Sequence, residues 1–127
     1  MTSATTLRVP ASSANLGPGF DTLALALELF LEIEASPASP FRIEATGLAP
    51  ETCSRLETNL LIETYQSVLA GERRPVVPLS LRLKNDIPLG MGCGSSAAAS
   101  LAGVALAVHF GSLGWSSGRI VETAARI

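Results

Sequence analysis

Charged residues, aromatic rings, cysteine and histidine are all scarce in this chain of 127 residues. Charged side chains make up 16% and aromatic side chains 5%, and the sequence contains two cysteines and one histidine. Two cysteines are too few for a disulfide-rich scaffold, and neither Cys53 nor Cys93 has a histidine at metal-binding spacing. We therefore expect two reduced thiols, with a single disulfide between them left open. The apolar fraction of 47% suffices for one domain, 1–127, with its own core.

The sequence also lacks a basic cluster and a long apolar run. The nine basic residues are scattered, with only Arg73 and Arg74 adjacent, and the net charge is −2, which argues against a nucleic-acid binder. The longest apolar stretch, 97–110, is shorter than the roughly 20 residues that span a bilayer. Residues 1–9 contain no apolar core of a secretory signal. We predict a cytoplasmic protein with no nucleic-acid and no membrane partner.

Alternation of apolar and polar residues predicts the strands of a sheet. The strands are expected at 5–9, ending before Pro10, and at 29–34, 41–45 and 79–84. The glycine-containing and polar segments 11–21 and 47–57 are predicted to be loops. A hairpin or meander is expected between the second and third strands.

Helical periodicity and capping residues predict three helices. They are expected at 59–70, with Thr58 as the N-cap and Gly71 as the stop, at 95–110, and from Ser116 or Ser117 to at least Ile127. This order of elements favours an α+β fold, with a mixed sheet and helices packed on one face, over a doubly wound parallel sheet.

Segment 88–98, PLGMGCGSSAA, is the strongest functional motif of the chain. Its glycines allow the backbone to approach a ligand closely, and the helix that follows offers free N–H groups at its positive end. This combination predicts an anion site, with phosphate as the usual guest, and a plain turn with a serine cap is the alternative. Three other motifs are excluded. The P-loop needs a lysine, and none lies between Gly90 and Phe110; the glycines do not have the spacing of the dinucleotide-binding motif. A nucleophile elbow needs a glycine at the position of Ala97.

Segment 10–21, PASSANLGPGFD, is the second candidate site. Asn15 can both donate and accept hydrogen bonds, and ionised Asp21 can only accept them. Glycine-rich loops between strands often carry binding residues. The pair suits a small polar substrate with an amino group and a hydroxyl, and an Asx turn with a helix cap is the alternative.

Together the two segments resemble the GHMP kinase family of galactokinase, homoserine kinase, mevalonate kinase and phosphomevalonate kinase. Segment 88–98 is similar to the family's phosphate loop, P-x-G-x-G-L-G-S-S-A-A, with Cys93 in place of leucine. Segment 10–21 is similar at every position to the form found in the homoserine kinase branch, and 58–60 is similar to the family's N-L segment near adenine. The resemblance implies the family's N-terminal, ATP-binding domain, with a fold like domain 2 of ribosomal protein S5.

The resemblance also implies a reaction, in which ATP with Mg²⁺ phosphorylates the side-chain hydroxyl of L-homoserine to O-phospho-L-homoserine in threonine biosynthesis. Carried over by position, Asn15 and Asp21 hold homoserine, and Asp21 orients it first, with base catalysis as an option. Asn59 approaches the nucleotide base, and Ser95 or Ser96 lies near Mg²⁺. The implied triphosphate cradle consists of Pro88, Leu89, Gly90, Met91, Gly92, Cys93, Gly94, Ser95, Ser96, Ala97 and Ala98.

The resemblance implies a longer chain with two domains. We therefore expect 1–127 to be a truncated N-terminal domain without its C-terminal domain, inactive alone, with the acidic Mg²⁺ ligand beyond Ile127. The low charge content fits a piece whose partner covers part of its surface. A GHMP kinase for another small alcohol and a non-catalytic nucleotide-binding module remain alternatives. The oligomeric state is left open, with a homodimer as one option.

Overall fold

The computed structural model of the chain describes residues 4–12, 26–48, 50–54, 56, 59–87 and 95–126. The strands of the described part are β1 (Thr5–Ser12), β2 (Ala26–Pro37), β3 (Arg42–Gly47) and β4 (Leu79–Asn85). Its helices are α1 (Pro50–Cys53), α2 (Leu60–Gly71), α3 (Ser95–Phe110) and α4 (Ser117–Ala125). The predicted α+β class is therefore confirmed, and the short helix α1 lies within the segment 47–57 that was predicted to be a loop.

The four strands form one mixed sheet in the order β1-β2-β4-β3. Strand β2 pairs antiparallel with β1 and with β4, whereas β3 pairs parallel with β4. The predicted hairpin between β2 and β3 is wrong, because β4 lies between them. Strand β4 carries three buried leucines on one face. Its central position, between β2 and β3, buries these side chains better than a position at the edge of the sheet would.

The two faces of the sheet differ sharply in polarity. On the inner face, Ile33 of β2 pairs with Leu83 of β4, and both are buried under the helices. On the outer face, Arg82 lies 3.8 Å from Glu34 and 3.7 Å from Glu44, and all three side chains are exposed. Exposed ion pairs contribute little to stability, so the inner face provides most of the free energy of folding. The predicted packing of the helices on one face is confirmed.

Strand β1 does not end at Pro10, as the sequence suggested, but continues to Ser12. Pro10 pairs with Phe30, and the register shifts between Pro10 and Ala11. Proline has no N–H group for a ladder, but β1 is an edge strand and needs ladder bonds on one side only. The predicted end of the strand, at residue 9, was therefore three residues too early.

Helices α2 and α3 cross at very short distance. A Cβ atom on Gly103 of α3 would lie 2.7 Å from the carbonyl oxygen of Leu61 and 2.8 Å from Cβ of Thr64, both on α2. Helix α3 also contacts β1 and α4, and it is apolar on nearly all of its faces. It therefore forms the centre of the helical layer. No helix in the described part of the chain is long and apolar enough to cross a membrane.

The ends of the helices differ in detail from the sequence-based predictions. Asn59 is the N-cap of α2, so the helix begins one residue later than predicted. Gly71 is the last residue of α2, and the left-handed residue is Arg73, with φ at 56°. Ser116 caps α4, which ends at Ala125 with Arg126 as its C-cap, earlier than predicted.

Candidate functional site

The predicted site residues fall into two groups. Asn15, Asp21 and the segment 88–94 lie outside the described residues, so their proposed contacts remain predictions. Ser95 and Ser96 form the first two positions of α3, followed by exposed Ala97 and buried Ala98. Asn59 lies at the start of α2, and its contacts are described below.

The N-terminus of α3 has the electrostatic character that an anion needs. The helix has 16 residues and begins at Ser95, within the predicted phosphate segment 88–98. Its first turn carries no acidic side chain. The positive end of the helix dipole and the free N–H groups are therefore not compensated by a carboxylate of that turn. This fits the predicted role of 88–98 in binding phosphate.

Asn59 links the start of α2 to the end of α1. Its Oδ1 atom accepts hydrogen bonds from the backbone N–H groups of Leu61, at 3.0 Å, and Ile62, at 3.4 Å. Its Nδ2 group donates to the carbonyl oxygen of Cys53 at 3.0 Å. A side-chain cap of this kind typically contributes about 1 kcal/mol. The predicted contact with a nucleotide base would thus come from a side chain that already holds two helices in place.

A second asparagine, Asn85, lies at the end of β4 and is only 3% exposed. Its Oδ1 atom accepts from the backbone N–H of Ile87 at 3.0 Å, and its Nδ2 group lies 3.0 Å from the carbonyl oxygen of Ile87. The same Nδ2 group lies 3.1 Å from the carbonyl oxygen of Leu48 and 3.6 Å from Sγ of Cys53. Asn85 therefore joins the ends of β3 and β4 to α1.

The backbone around Asn85 is equally constrained. The N–H of Leu48 donates to the carbonyl oxygen of Asn85 at 2.6 Å. Gly47 has a φ of +86°, and a Cβ atom there would lie 2.2 Å from that same oxygen. Only glycine fits both the left-handed conformation and the close approach.

A small cavity of about 60 Å³ lies between the end of β4 and the N-terminal turns of α2 and α3. Ligand pockets usually measure about 300 to 1,000 Å³, so this cavity can receive one edge of a ring and not a whole nucleotide. Two wider concavities, of about 600 and 660 Å³, lie on the outer face of the sheet and contain no predicted site residue. We therefore place the candidate site at the smaller cavity, which is lined by Leu31, Cys53, Asn59, Leu61, Leu83, Asn85, Ile87 and Ala99.

The thiol in this cavity is not activated. Burial raises the pKa of Cys53, and the hydrogen bond from Asn85 only partly opposes that effect. Cys53 therefore stays protonated at neutral pH and acts as a small packing residue. Among the described residues, no group of three histidine, cysteine, aspartate or glutamate side chains could hold a metal ion. The predicted Mg²⁺ contact of Ser95 or Ser96 remains a prediction.

The sequence pattern did not mark Asn85, although it contained a usable indication. An asparagine at the end of a strand, two residues before a buried apolar residue, is typical of an Asx turn. The tertiary contacts with Leu48 and Cys53 have no counterpart in the local sequence, because they lie 37 and 32 residues away.

Comparison with known proteins connects this geometry to one family. A model described as the GHMP kinases N terminal domain matches residues 59–127. The homoserine kinase of Lactobacillus acidophilus is 46% identical over 121 residues, which is 95% of this chain and 40% of that protein. The homoserine kinase of Thermus thermophilus is 47% identical over 103 residues, which is 80% of this chain and 34% of that protein. The chain spans about 40% of the length of the first of these relatives.

Solved structures show the same fold in proteins that are named for different substrates. A structure assigned as a homoserine kinase of Listeria monocytogenes is 37% identical, with a TM-score of 0.80, and the match covers 98% of this chain and 43% of that one. The mevalonate kinase of Methanococcus jannaschii is 15% identical, with a TM-score of 0.67 over 98% of this chain and 47% of that one. The second likeness shows the fold alone. On the family model and the fold together, the chain belongs to the GHMP kinase family and forms that family's N-terminal domain.

Proposed function

We propose that this chain is the nucleotide-binding part of a homoserine kinase, which transfers the γ-phosphoryl group of ATP to the side-chain hydroxyl of L-homoserine. The observation that carries the proposal is the start of α3 at Ser95, directly after the glycine-containing sequence 88–94 and without an acidic residue in its first turn. The identity of 46% with a homoserine kinase over 95% of the chain supports the choice of substrate.

The phosphate side of the proposed site rests on backbone groups. Segment 88–94 supplies glycine N–H groups that can approach phosphate oxygens, and the dipole of α3 favours negative charge at the same point. Phosphoryl transfer passes through a loose transition state, so fixed positive potential and positioning do most of the catalytic work. A lysine-free segment can do this work because its donors are backbone N–H groups.

The base side of the proposed site is the cavity between α2 and β4. Its walls are mostly aliphatic, with Leu31, Leu61 and Leu83 among them, which suits the one edge of an adenine ring that the cavity can receive. Asn59 lies on the wall of the same cavity and can offer an amide to the edge of the ring. Ala99, near the start of α3, lines this cavity, so one nucleotide can reach both the helix N-terminus and the cavity.

The alcohol side of the proposed site rests on Asn15 and Asp21. In the reaction, the bond between the γ-phosphorus and the bridging oxygen of ATP breaks, and a bond from phosphorus to the homoserine oxygen forms. The hydroxyl proton leaves to water or to the Asp21 carboxylate, and the leaving oxygen remains on ADP. Asp21 acts mainly by orienting the substrate, because a loose transition state needs little early removal of the proton.

Other parts of the proposal concern the protein as a whole. Bound Mg²⁺ would neutralise phosphate charge, with a hydroxyl of Ser95 or Ser96 as an oxygen ligand of the type that the ion prefers. The relatives extend well beyond the length of this chain, so we propose that a second domain supplies the acidic ligand. We further propose a cytoplasmic enzyme of threonine biosynthesis.

The direct test is an assay of ADP release by the full-length protein with four alcohols, namely homoserine, mevalonate, galactose and shikimate. The proposal predicts that homoserine has the highest kcat/KM. Equal rates with all four would reject homoserine as the substrate. Binding of ATP without ADP release in the presence of any of the four would favour a non-catalytic nucleotide-binding module.

The role of Asn59 can be separated from its capping role by Asn59→Ser. Serine is a good N-cap and is neutral, but it lacks the amide that we propose for the base. Because serine also loses the hydrogen bond from Nδ2 to the carbonyl oxygen of Cys53, we expect a loss of about 1 kcal/mol of stability, together with a clearly higher KM for ATP. The control is Ser116→Ala, which removes the cap of α4, where Ser116 Oγ accepts from the N–H of Arg119 at 3.2 Å. That control should lose about 1 kcal/mol of stability with no change in KM.

A further inference from the structure

The side chain of Asn85 makes its hydrogen bonds to groups outside the sheet. Its backbone completes the pairing of β4 with Leu31 of β2 and Gly47 of β3. The amide then reaches forward to both polar groups of the Ile87 backbone, at 3.0 Å each. Ile87 is itself 1% exposed, and it is the last described residue before the glycine segment 88–94. The side chain thus fixes the backbone from which that segment starts.

The same amide is also connected to the start of α2. Its Nδ2 atom lies 3.6 Å from Sγ of Cys53, and the carbonyl oxygen of Cys53 accepts a hydrogen bond from Asn59. Cys53 is therefore shared by the two asparagines, and all three line the small cavity. Hydrogen bonds of 3.0 to 3.6 Å therefore connect Asn85 to Ile87 and Cys53, and Cys53 to Asn59.

Packing alone does not explain an asparagine at this position. The preceding inward-facing residues of β4 are Leu79, Leu81 and Leu83, and all of them are buried. A fourth leucine would continue that pattern and avoid the cost of burying an amide, which is offset only when its hydrogen bonds are made. Asn85 makes its hydrogen bonds with Leu48, after β3, and Ile87, after β4. These bonds therefore fix the backbone near the cavity and not the pairing of the sheet.

We propose that Asn85 is a positioning residue for the nucleotide, which holds the Ile87 backbone and the Asn59 cap, both on the wall of the cavity, in register with each other. This inference rests on the proposed function, because it assigns ATP to the site that these two elements border. Asn85 touches no reacting atom, and it acts through Ile87 and Cys53. Its loss should therefore affect the binding of ATP much more than that of homoserine.

The test is Asn85→Asp in the full-length protein. Aspartate keeps the shape and the acceptor for Ile87 N–H, but it replaces the donor with a second acceptor that faces the carbonyl oxygens of Leu48 and Ile87. A misplacement of about 1 Å can cost up to about a hundredfold in rate, so we expect the KM for ATP to rise roughly tenfold. The KM for homoserine should stay close to that of the wild type.

The matched control is Tyr65→Phe. Tyr65 is fully buried, and its hydroxyl donates to the carbonyl oxygen of Val77 at 2.7 Å. Val77 precedes the first residue of β4, at the end of the strand opposite to Asn85. Both substitutions remove a buried hydrogen bond, so both should lower the temperature of unfolding. Only Asn85→Asp should raise the KM for ATP, and the assays are run below the unfolding range of both variants. An equal effect of the two variants on the KM for ATP would overturn the proposal.

Two further measurements cover the remaining outcomes. If Asn85→Asp does not fold, Asn85→Ser replaces it, since serine still accepts from Ile87 N–H in a local turn but does not reach Leu48. If neither variant folds, Asn85 is a folding residue and the positioning role is rejected. Calorimetric titration with ATP separates the proposed substrate from the proposed role of Asn85. If the wild-type protein binds ATP but does not phosphorylate homoserine, only the proposed substrate is contradicted. The role of Asn85 is then tested by comparing the Kd for ATP of the variants.

Discussion

Gly103→Ala tests how closely the two helices that border the site are packed. The new Cβ atom would lie 2.7 Å from the carbonyl oxygen of Leu61 and 2.8 Å from Cβ of Thr64. Neither contact can be relieved by rotating a flexible side chain, because one atom is backbone and the other is the first atom of its side chain. The helices must therefore move apart, and α2 carries Asn59 at its first turn.

Two opposing effects set the magnitude. Alanine favours a helix over glycine by about 1 kcal/mol, which would stabilise the variant. Forcing an extra methyl group into a tightly packed interior costs about 1 to 3 kcal/mol, and a clash with backbone belongs at the upper end. We therefore expect the free energy of unfolding to fall by about 1 to 2 kcal/mol in total.

The assay is urea unfolding, and the chain provides its own control. Gly71 is also helical, but a Cβ atom there would meet no atom within 4 Å. Gly71→Ala should therefore be neutral or stabilising by up to about 1 kcal/mol. If Gly103→Ala is as stable as Gly71→Ala, the close crossing of α2 and α3 is refuted.

Two more predictions concern buried polar groups of α2. Thr64 Oγ1 is buried with no hydrogen-bond partner among the described residues, so Thr64→Val should stabilise the fold by about 1 kcal/mol in the same urea assay, whereas Thr64→Ser, which keeps the hydroxyl, should not. Burial raises the pKa of Tyr65 to about 12, against its ordinary value near 10, although the hydrogen bond to Val77 partly opposes the shift. The neutral phenol therefore favours the folded state fully below pH 10, and this contribution is lost as the pH rises through about 12. The stability advantage of the wild type over Tyr65→Phe should shrink between these two values, and an advantage independent of pH would contradict the assignment.

The elements with strong local patterns could be predicted from the sequence. The alternating run of β4 and the apolar run of α3 lie where they were expected, because each pattern has one period and clear flanking residues. The start of α2 was misplaced by one residue, because Thr58 and Asn59 can both cap a helix, and the structure uses Asn59, the more strongly preferred of the two. The passage of β1 through Pro10 depends on its place at the edge of the sheet, which is a tertiary property.

Strand partners and the surroundings of the site were harder to predict. The pairing of β3 with β4 joins segments more than 30 residues apart, and the local sequence of neither strand indicates its partner. The contacts of Asn85 are non-local for the same reason. The roles of Asn15, Asp21 and 88–94 still rest on sequence motifs, whereas the capping contacts of Asn59 are now defined by the fold.

The proposed homoserine kinase activity is tested by identifying the phosphorylated product. Full-length protein is incubated with ATP and L-homoserine, and the product is examined by phosphorus NMR and by treatment with hydroxylamine. The proposed reaction yields a phosphate ester on the side-chain oxygen, whose phosphorus is coupled to the adjacent methylene protons and which is stable to hydroxylamine. No phosphorylated homoserine, or an acyl phosphate that hydroxylamine destroys, would contradict it.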